Sequence, residues 1–163
     1  MASRALVRNF AEYGAAMAIL KSLEWTPLPV ARGLARGYAR LLDFAIPRLR
    51  RAAMRNLEIA LPAAPAAERA ALVDGVFETI GRIGLSVARF PSIQRGNLDR
   101  WMRCEGAEHF HDALRAGCGV LFATAHLGNW ELSAFGHALL ERPMNVVVRP
   151  FDNPLIEIGR AHV

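Results

Sequence analysis

Apolar residues recur with helical spacing along the first part of the chain, and prolines interrupt that pattern. We predict helices over about Ala5–Glu24, from Pro27 to a break at Pro47, over Arg48–Ala60, and over about Ala66–Phe90. Pro27 suits the first turn of a helix, whereas Pro47 and Pro91 end the helices that precede them. In the fourth helix one apolar stripe has the spacing of a buried core face. It contains Leu72, Val76, Ile80, Ile83 and Val87.

The pattern changes after Pro91, where short runs alternate with shorter helices. We predict strands over Trp101–Glu105, Gly119–Thr124 and Met144–Val148. Helices are predicted over Ala107–Ala116 and Trp130–Leu140. A strand, a loop, a helix and a second strand in this order indicate a βαβ unit of an α/β domain. Sites in such sheets lie at the carboxyl ends of the strands. We therefore expect His126 and Arg149, which follow two of these strands, to face one crevice.

The net charge of +5 is concentrated in one region. Residues 27–60 contain seven arginines and two acidic residues, so this region alone accounts for the net charge of +5. A local basic surface implies an anionic partner, and lipid head groups, nucleic acid or an acidic carrier protein would each fit. Arg32, Arg36 and Arg40 form a stripe beside an apolar face. This pattern fits a helix lying in a membrane interface. It also fits an amphipathic helix packed on the protein's own core.

Other sequence features narrow the possible classes of protein. The hydrophobic fraction of 53% is enough for a core. No run reaches the roughly 18 apolar residues of a spanning helix, so we predict neither such a helix nor a secretory signal. Cys104 and Cys118 fit neither a disulfide framework nor paired metal-ligand spacing. His109, His111 and His137 complete no cluster, so we expect no metal ion and no cofactor.

His126 and Glu131 are the candidate catalytic pair. On one regular helix their spacing would separate them by about 140°, so they can meet only if His126 lies in a loop and Glu131 in the next helical turn. Gly128 permits such a turn, and Asn129 is a suitable N-cap. Glu131 would then orient the imidazole, which would take a proton from an acceptor hydroxyl. A simpler interpretation is a capping histidine and a first-turn glutamate without catalytic roles.

A family resemblance supports the catalytic interpretation. The stretch Ala125–Glu131 resembles the signature of the lipid A biosynthesis acyltransferases, the late lauroyl/myristoyl transferases, within the wider His-x4-Asp/Glu glycerolipid acyltransferase group. Further segments are similar in order and spacing: Arg55-Asn56-Leu57 with Leu61-Pro62 and Glu68-Arg69, Cys104–Glu108, and Val148–Pro154. Leu61 and Val148 stand where the family usually has Phe and Tyr.

The resemblance implies an enzyme that takes a fatty acyl chain from an acyl carrier protein thioester to a glycolipid acceptor. His126 would be the general base and Glu131 its partner, while Arg149 and Asn129 would bind substrate. The absence of a Ser or Cys nucleophile elbow favours direct transfer over an acyl-enzyme or a lipid hydrolase. The implied location is the cytoplasmic face of the inner membrane, with the membrane surface as a partner and no nucleic acid.

The resemblance also implies how the chain is organised. Residues 1–60 would form basic, amphipathic membrane-interface helices, and residues 61–156 the first part of a glycerolipid-acyltransferase-like α/β domain. Residues 157–163 abandon the preceding pattern, and we expect them to be a non-native tail. The chain would then be the N-terminal half of an enzyme and inactive alone. The alternative is a non-catalytic, basic helical fragment that binds membranes or acts as a scaffold.

Overall fold

The computed structural model describes residues 2–117, 119–125, 127–147 and 152–156, with side chains from Leu6 onward. These residues form two compact units. The first contains the residues up to Phe90 together with residues 152–156. The second contains the described residues from Pro91 to Val147. The expected tail at residues 157–163 lies outside the described part of the chain.

The first unit contains the four predicted helices, which the structure confirms. They are α1 (Ala2–Trp25), α2 (Leu28–Ala45), α3 (Pro47–Ala60) and α4 (Ala66–Arg89). A proline lies at the start of each of the last three: Pro27 before α2, Pro47 within the first turn of α3, and Pro65 before α4. Proline is tolerated there because the first amides of a helix have no partner within the helix.

Helix α4 is the centre of the first unit, and α1, α2 and α3 all pack against it. The contact with α2 is close because small residues meet there. Ala31, Ala35 and Ala39 of α2 are buried, and a Cβ added at Gly81 of α4 would lie 2.8 Å from the Ala35 carbonyl oxygen. Leu23 of α1 and Leu85 of α4 complete the largest apolar cluster.

The predicted core stripe of α4 is wrong at three of its five positions, whereas Ile83 and Val87 are half-buried. Leu72, Val76 and Ile80 are exposed, whereas the buried positions begin at Val73 and Phe77. Both sides of this helix are apolar, so spacing alone does not select one of them. The side that contains Gly81 is buried because it lets the backbone of α2 approach.

The second unit is helical as well. Two 3-10 helices cover Phe90–Ser92, at the boundary, and Arg95–Arg100. Helix α5 (Ala107–Arg115) ends before Gly117, whose φ of 73° is left-handed, and α6 (Trp130–Leu140) follows. Both α-helices confirm the sequence prediction. Among the described helices of the chain, none is long and apolar enough to cross a membrane.

The predicted strands, and with them the α/β fold class, are wrong. No described residue belongs to a strand, and the structure is helical. The segments predicted as strands at 101–105, 119–124 and 144–147 are irregular, and Leu121 and Val147 are fully exposed. A strand requires a hydrogen-bonded neighbour, and the length and apolarity of a run do not specify one.

Candidate active site

The start of α6 has the local structure that the sequence predicts. Gly128 adopts a left-handed φ of 68°, which glycine reaches without steric cost. Asn129 is the N-cap, and its side-chain oxygen accepts a hydrogen bond from the Leu132 amide at 3.1 Å. The cap thereby satisfies one of the amides that a helix start leaves without a partner. The turn and the cap together fix the direction in which α6 leaves the loop.

Glu131 lies in the first turn of α6, one residue after Trp130. Its side chain is exposed. A carboxylate in the first turn interacts favourably with the positive end of the helix dipole. The structure thus places Glu131 and the cap residue Asn129 at the same helix start, with the carboxylate open to a partner group.

His126 and Arg149 lie outside the described residues. Ala125 and Leu127, on either side of His126, are exposed. The predicted contact between the imidazole and Glu131 therefore stays a prediction, and so does the role of Arg149. The described part of the predicted site is the pair Asn129 and Glu131.

An aromatic cluster in the second unit holds the segment that precedes residue 126. Phe122 of this segment packs on His137 of α6, with ring centroids 4.8 Å apart. Phe110 of α5 packs on the same histidine at 4.8 Å and lies 5.8 Å from Phe122. The sequence indicated His137 only as a possible metal ligand, because its spacing does not show which aromatic rings it contacts. The cluster joins the segment before the signature to the helix that carries Glu131.

Polar and close-packed contacts also hold the C-terminal half of α6. Beyond its last turn, the Nε2 atom of His111 lies 3.3 Å from the Glu141 carboxylate. Arg95 donates a hydrogen bond to the Leu140 carbonyl at 2.6 Å. Gly136 leaves room for the Met102 side chain, which a Cβ at that position would overlap. The described residues contain no group of three or more His, Cys, Asp or Glu that could hold a metal ion.

Asn153 is a buried polar residue whose role the sequence did not indicate. It belongs to the first unit, where its side-chain amide donates to the Asn9 carbonyl at 2.9 Å and to Glu12 at 3.0 Å. Its side-chain oxygen accepts from the Leu155 amide at 3.1 Å. These bonds attach residues 152–156 to α1. The only sequence signal was the membership of Asn153 in the Val148–Pro154 segment.

Comparisons with known proteins identify similar chains. Residues 4–159 match the family model described as bacterial lipid A biosynthesis acyltransferase. A lipid A biosynthesis lauroyltransferase of Escherichia coli (strain K12) is 34% identical over 136 residues, which cover 80% of this chain and 42% of that protein. A lipid A biosynthesis acyltransferase of Haemophilus influenzae is 30% identical over 148 residues, covering 86% of this chain and 45% of that protein.

A shorter similarity extends to mycobacteria. A phosphatidylinositol mannoside acyltransferase of Mycobacterium tuberculosis is 35% identical over 81 residues, which cover 48% of this chain and 26% of that protein. The chain spans less than half the length of these curated relatives. No solved structure matches it significantly.

Proposed function

The chain belongs to the family of bacterial lipid A biosynthesis acyltransferases, and we propose that the whole protein transfers a fatty acyl chain to a hydroxyl group of a lipid A precursor or a related glycolipid. The proposed donor is the thioester of an acyl carrier protein. The observation that carries the proposal is an exposed Glu131 at the capped start of α6, five residues after His126 in the family's signature.

In the proposed reaction His126 removes the proton of the acceptor hydroxyl. The hydroxyl oxygen attacks the thioester carbonyl carbon, and the carrier's thiolate leaves and takes a proton from the imidazolium. Glu131 holds the imidazole in the tautomer that accepts the proton and stabilises its protonated form. The N-terminus of α6, the positive end of its helix dipole, stabilises the oxyanion that develops on the carbonyl oxygen. No covalent acyl-enzyme is needed.

Two further residues are proposed to bind substrate. Arg149 offers a planar guanidinium, which suits an acceptor phosphate because it can donate two parallel hydrogen bonds. Asn129 is proposed to contact substrate at the helix start. Its side-chain oxygen already accepts the Leu132 amide, so any contact with substrate adds to its role as a cap.

The proposed location is the cytoplasmic face of the inner membrane. The excess of arginine in residues 27–60 supports an anionic surface as partner. This excess also favours the second candidate function, a non-catalytic membrane-binding fragment. Because the chain spans less than half the length of its relatives, we propose that it is inactive without the remainder.

The test measures acyl transfer from acyl carrier protein to a lipid A precursor by a protein of the relatives' full length. We expect His126→Ala to lower kcat by about 10²–10⁴-fold, the usual contribution of a general base. Glu131→Gln should lower kcat with little change in KM. The matched control is Glu108→Gln, since Glu108 is an exposed glutamate in the first turn of α5.

The outcomes separate the two functions. Turnover that is unchanged in His126→Ala would refute the proposed base. An equal loss in Glu131→Gln and Glu108→Gln would refute the specific role of Glu131. A full-length protein that binds vesicles but transfers no acyl chain would favour the non-catalytic alternative.

A further inference from the structure

Helices α5 and α6 of the second unit are joined by contacts between adjacent residues of α5 and two residues of α6 and its end. Phe110 of α5 meets the ring of His137 of α6 edge to face, with an angle of 86° between the ring planes. This arrangement is favourable because the positive edge of one ring faces the negative face of the other. One residue further along α5, the Nε2 atom of His111 lies 3.3 Å from the carboxylate of Glu141, directly after α6. The two contacts together hold α5 against α6.

Phe122 packs on both of these helices. Its ring centroid lies 4.8 Å from that of His137, at an angle of 65°, and 5.8 Å from that of Phe110. Phe122 is nevertheless 52% exposed. A residue with half of its surface in solvent stabilises the fold less by burial than a core residue does. The main consequence of its ring contacts is therefore the position of the segment that carries it.

The segment between Phe122 and Asn129 is short and held at both ends. Residues 123–128 separate the two, and His126 is the fourth of them. The ring contact with α6 holds Phe122, and the hydrogen bond from the Leu132 amide holds Asn129 at the start of the same helix. A short loop with both ends attached to one helix has far fewer conformations than a loop attached at one end.

We propose that Phe122 is a positioning residue for the acyl transfer reaction. Its contacts with the rings of α5 and α6 hold the loop of residues 123–128 so that the His126 imidazole meets the Glu131 carboxylate. Phe122 touches no reacting group and acts through the histidine. The inference deepens the proposed function, on which it rests, by naming the contact that brings the two members of the catalytic pair together.

The experiment measures kcat and KM for transfer from acyl carrier protein to a lipid A precursor, with a protein of the relatives' full length. Phe122→Ala removes the ring contacts and should lower kcat by about 10–10²-fold, since a displacement of about 1 Å from the productive geometry can cost 10²-fold. KM should change by less than about threefold, because the groups that bind substrate remain. Phe122→Tyr keeps the ring and should retain most of the kcat of the unsubstituted protein.

Substitutions of His137 test whether the ring or its titration matters. His137→Phe keeps an aromatic ring for the edge-to-face contact and should retain most of the kcat. His137→Ala removes the surface on which Phe122 packs and should lower kcat by about tenfold or more. The matched control is His109→Ala, since His109 is an exposed histidine of α5 outside the aromatic cluster. A loss in His137→Phe as large as that in His137→Ala would overturn the ring contact as the cause.

A double-mutant cycle distinguishes positioning from a general loss of stability. Glu131→Gln already weakens the pair that Phe122 is proposed to align, so adding Phe122→Ala should lower kcat further by no more than about threefold. A general loss of folded protein would lower kcat by the same factor in both backgrounds. Arg95→Gln is the control for stability, because it removes a hydrogen bond to the last residue of α6 and leaves the three rings in place. It should leave kcat nearly unchanged.

The outcomes separate this inference from the proposed function. If Glu131→Gln lowers kcat and Phe122→Ala does not, Phe122 is not a positioning residue and the proposed function stands. If Glu131→Gln retains its kcat, the proposed pair is refuted, and the inference fails with it. Equal losses in both backgrounds of the cycle would assign Phe122 to stability alone. A changed preference for acyl-chain length at unchanged kcat would assign it to the acyl chain, which also overturns the proposal.

A spectroscopic measurement tests the geometry without reference to activity. In the full-length protein labelled at phenylalanine and histidine, nuclear magnetic resonance should show nuclear Overhauser contacts between the rings of Phe122 and His137. These contacts should persist in Glu131→Gln, because the rings pack independently of the carboxylate. Their absence from the unsubstituted protein would remove the contact on which the proposal stands.

Discussion

At the scale of single residues, substitutions of Asn129 distinguish its role as a helix cap from its proposed role in substrate binding. Its side-chain oxygen caps α6 through the Leu132 amide. Asn129→Ala should lower the free energy of unfolding by about 1 kcal/mol, measured by urea denaturation. Asn129→Asp retains the capping oxygen and should leave the free energy of unfolding nearly unchanged. If Asn129 also binds substrate, the aspartate variant of the full-length protein shows a higher KM; an unchanged KM would limit Asn129 to the cap.

The contact of Asp43 with Arg50 should make the stability of the folded state depend on pH. The Arg50 guanidinium donates to both of its carboxylate oxygens, at 2.9 and 2.7 Å, and holds the pKa of Asp43 below its ordinary value of 3.8. A group whose pKa is lowered by folding stabilises the folded state above its ordinary pKa, and this contribution is lost as the pH falls through the folded-state pKa. Asp43→Asn should therefore be less stable than the unsubstituted chain at neutral pH.

The difference between these two proteins should begin to shrink near pH 4, where Asp43 of the unfolded chain takes up a proton, and should vanish below the lowered pKa of the folded state. Thermal unfolding followed between pH 2 and pH 7 measures it. Asp99→Asn is the control, because Asp99 is exposed and no described residue pairs with it. A difference that stays constant across this range would contradict the role of the Arg50 contact.

Residues with local signals were predictable from the sequence, and residues with distant partners were not. Gly128 and Asn129 were predicted correctly because a turn and a cap depend on neighbours within four residues. The partners of His137 and Asn153 come from other elements, so no local pattern indicated them. The pairing of His126 with Glu131 remains a prediction from the signature.

At the scale of helices, Gly81 sets the distance between α2 and α4. A Cβ at this position would lie 2.8 Å from the Ala35 carbonyl oxygen, and backbone atoms cannot yield as a flexible side chain does. Gly81→Ala should therefore lower the free energy of unfolding by about 1–3 kcal/mol. Gly75→Ala in the same helix meets nothing within 4 Å. It should raise the free energy of unfolding by about 0.5–1 kcal/mol, since alanine is the better helix former. Urea denaturation measures the free energy of unfolding of both variants. Changes of the same sign in the two variants would contradict the close contact between Gly81 and α2.

Helices were predicted well because their start and stop signals lie within their own sequence. The prolines before α2 and α4 and the glycine after α5 mark boundaries by steric rules that need no partner. The predicted strands failed for the opposite reason, since a strand exists only when another segment pairs with it. The buried side of α4 was missed because the contact of Gly81 with the small residues of α2, and not the larger residues of α4, selects it.

At the scale of the whole molecule, the two units carry different parts of the proposed function. The first contains the arginine-rich helices, whereas the second contains Glu131 and the aromatic cluster of Phe110, Phe122 and His137. Variants of the arginines in residues 27–60 should change vesicle binding, and variants at the start of α6 should change turnover.

In the first unit, Asn153 joins residues 152–156 to α1, which lies at the opposite end of the described chain. This side chain is 5% exposed and bonds to the Asn9 carbonyl and to Glu12, more than 140 residues earlier. Asn153→Ala removes both bonds and the turn that its oxygen forms with Leu155. We expect a loss of about 1–3 kcal/mol in the free energy of unfolding.

The loss of stability should be local, because residues 152–156 form a short segment that attaches to α1. Hydrogen exchange should show faster exchange of the amides of α1 near Asn9 and Glu12, with little change in α6 of the other unit. Asn56→Ala is the matched control, since Asn56 is exposed on α3 and should gain slightly in helix propensity. If Asn153→Ala behaves as Asn56→Ala does, then the attachment of residues 152–156 does not stabilise α1.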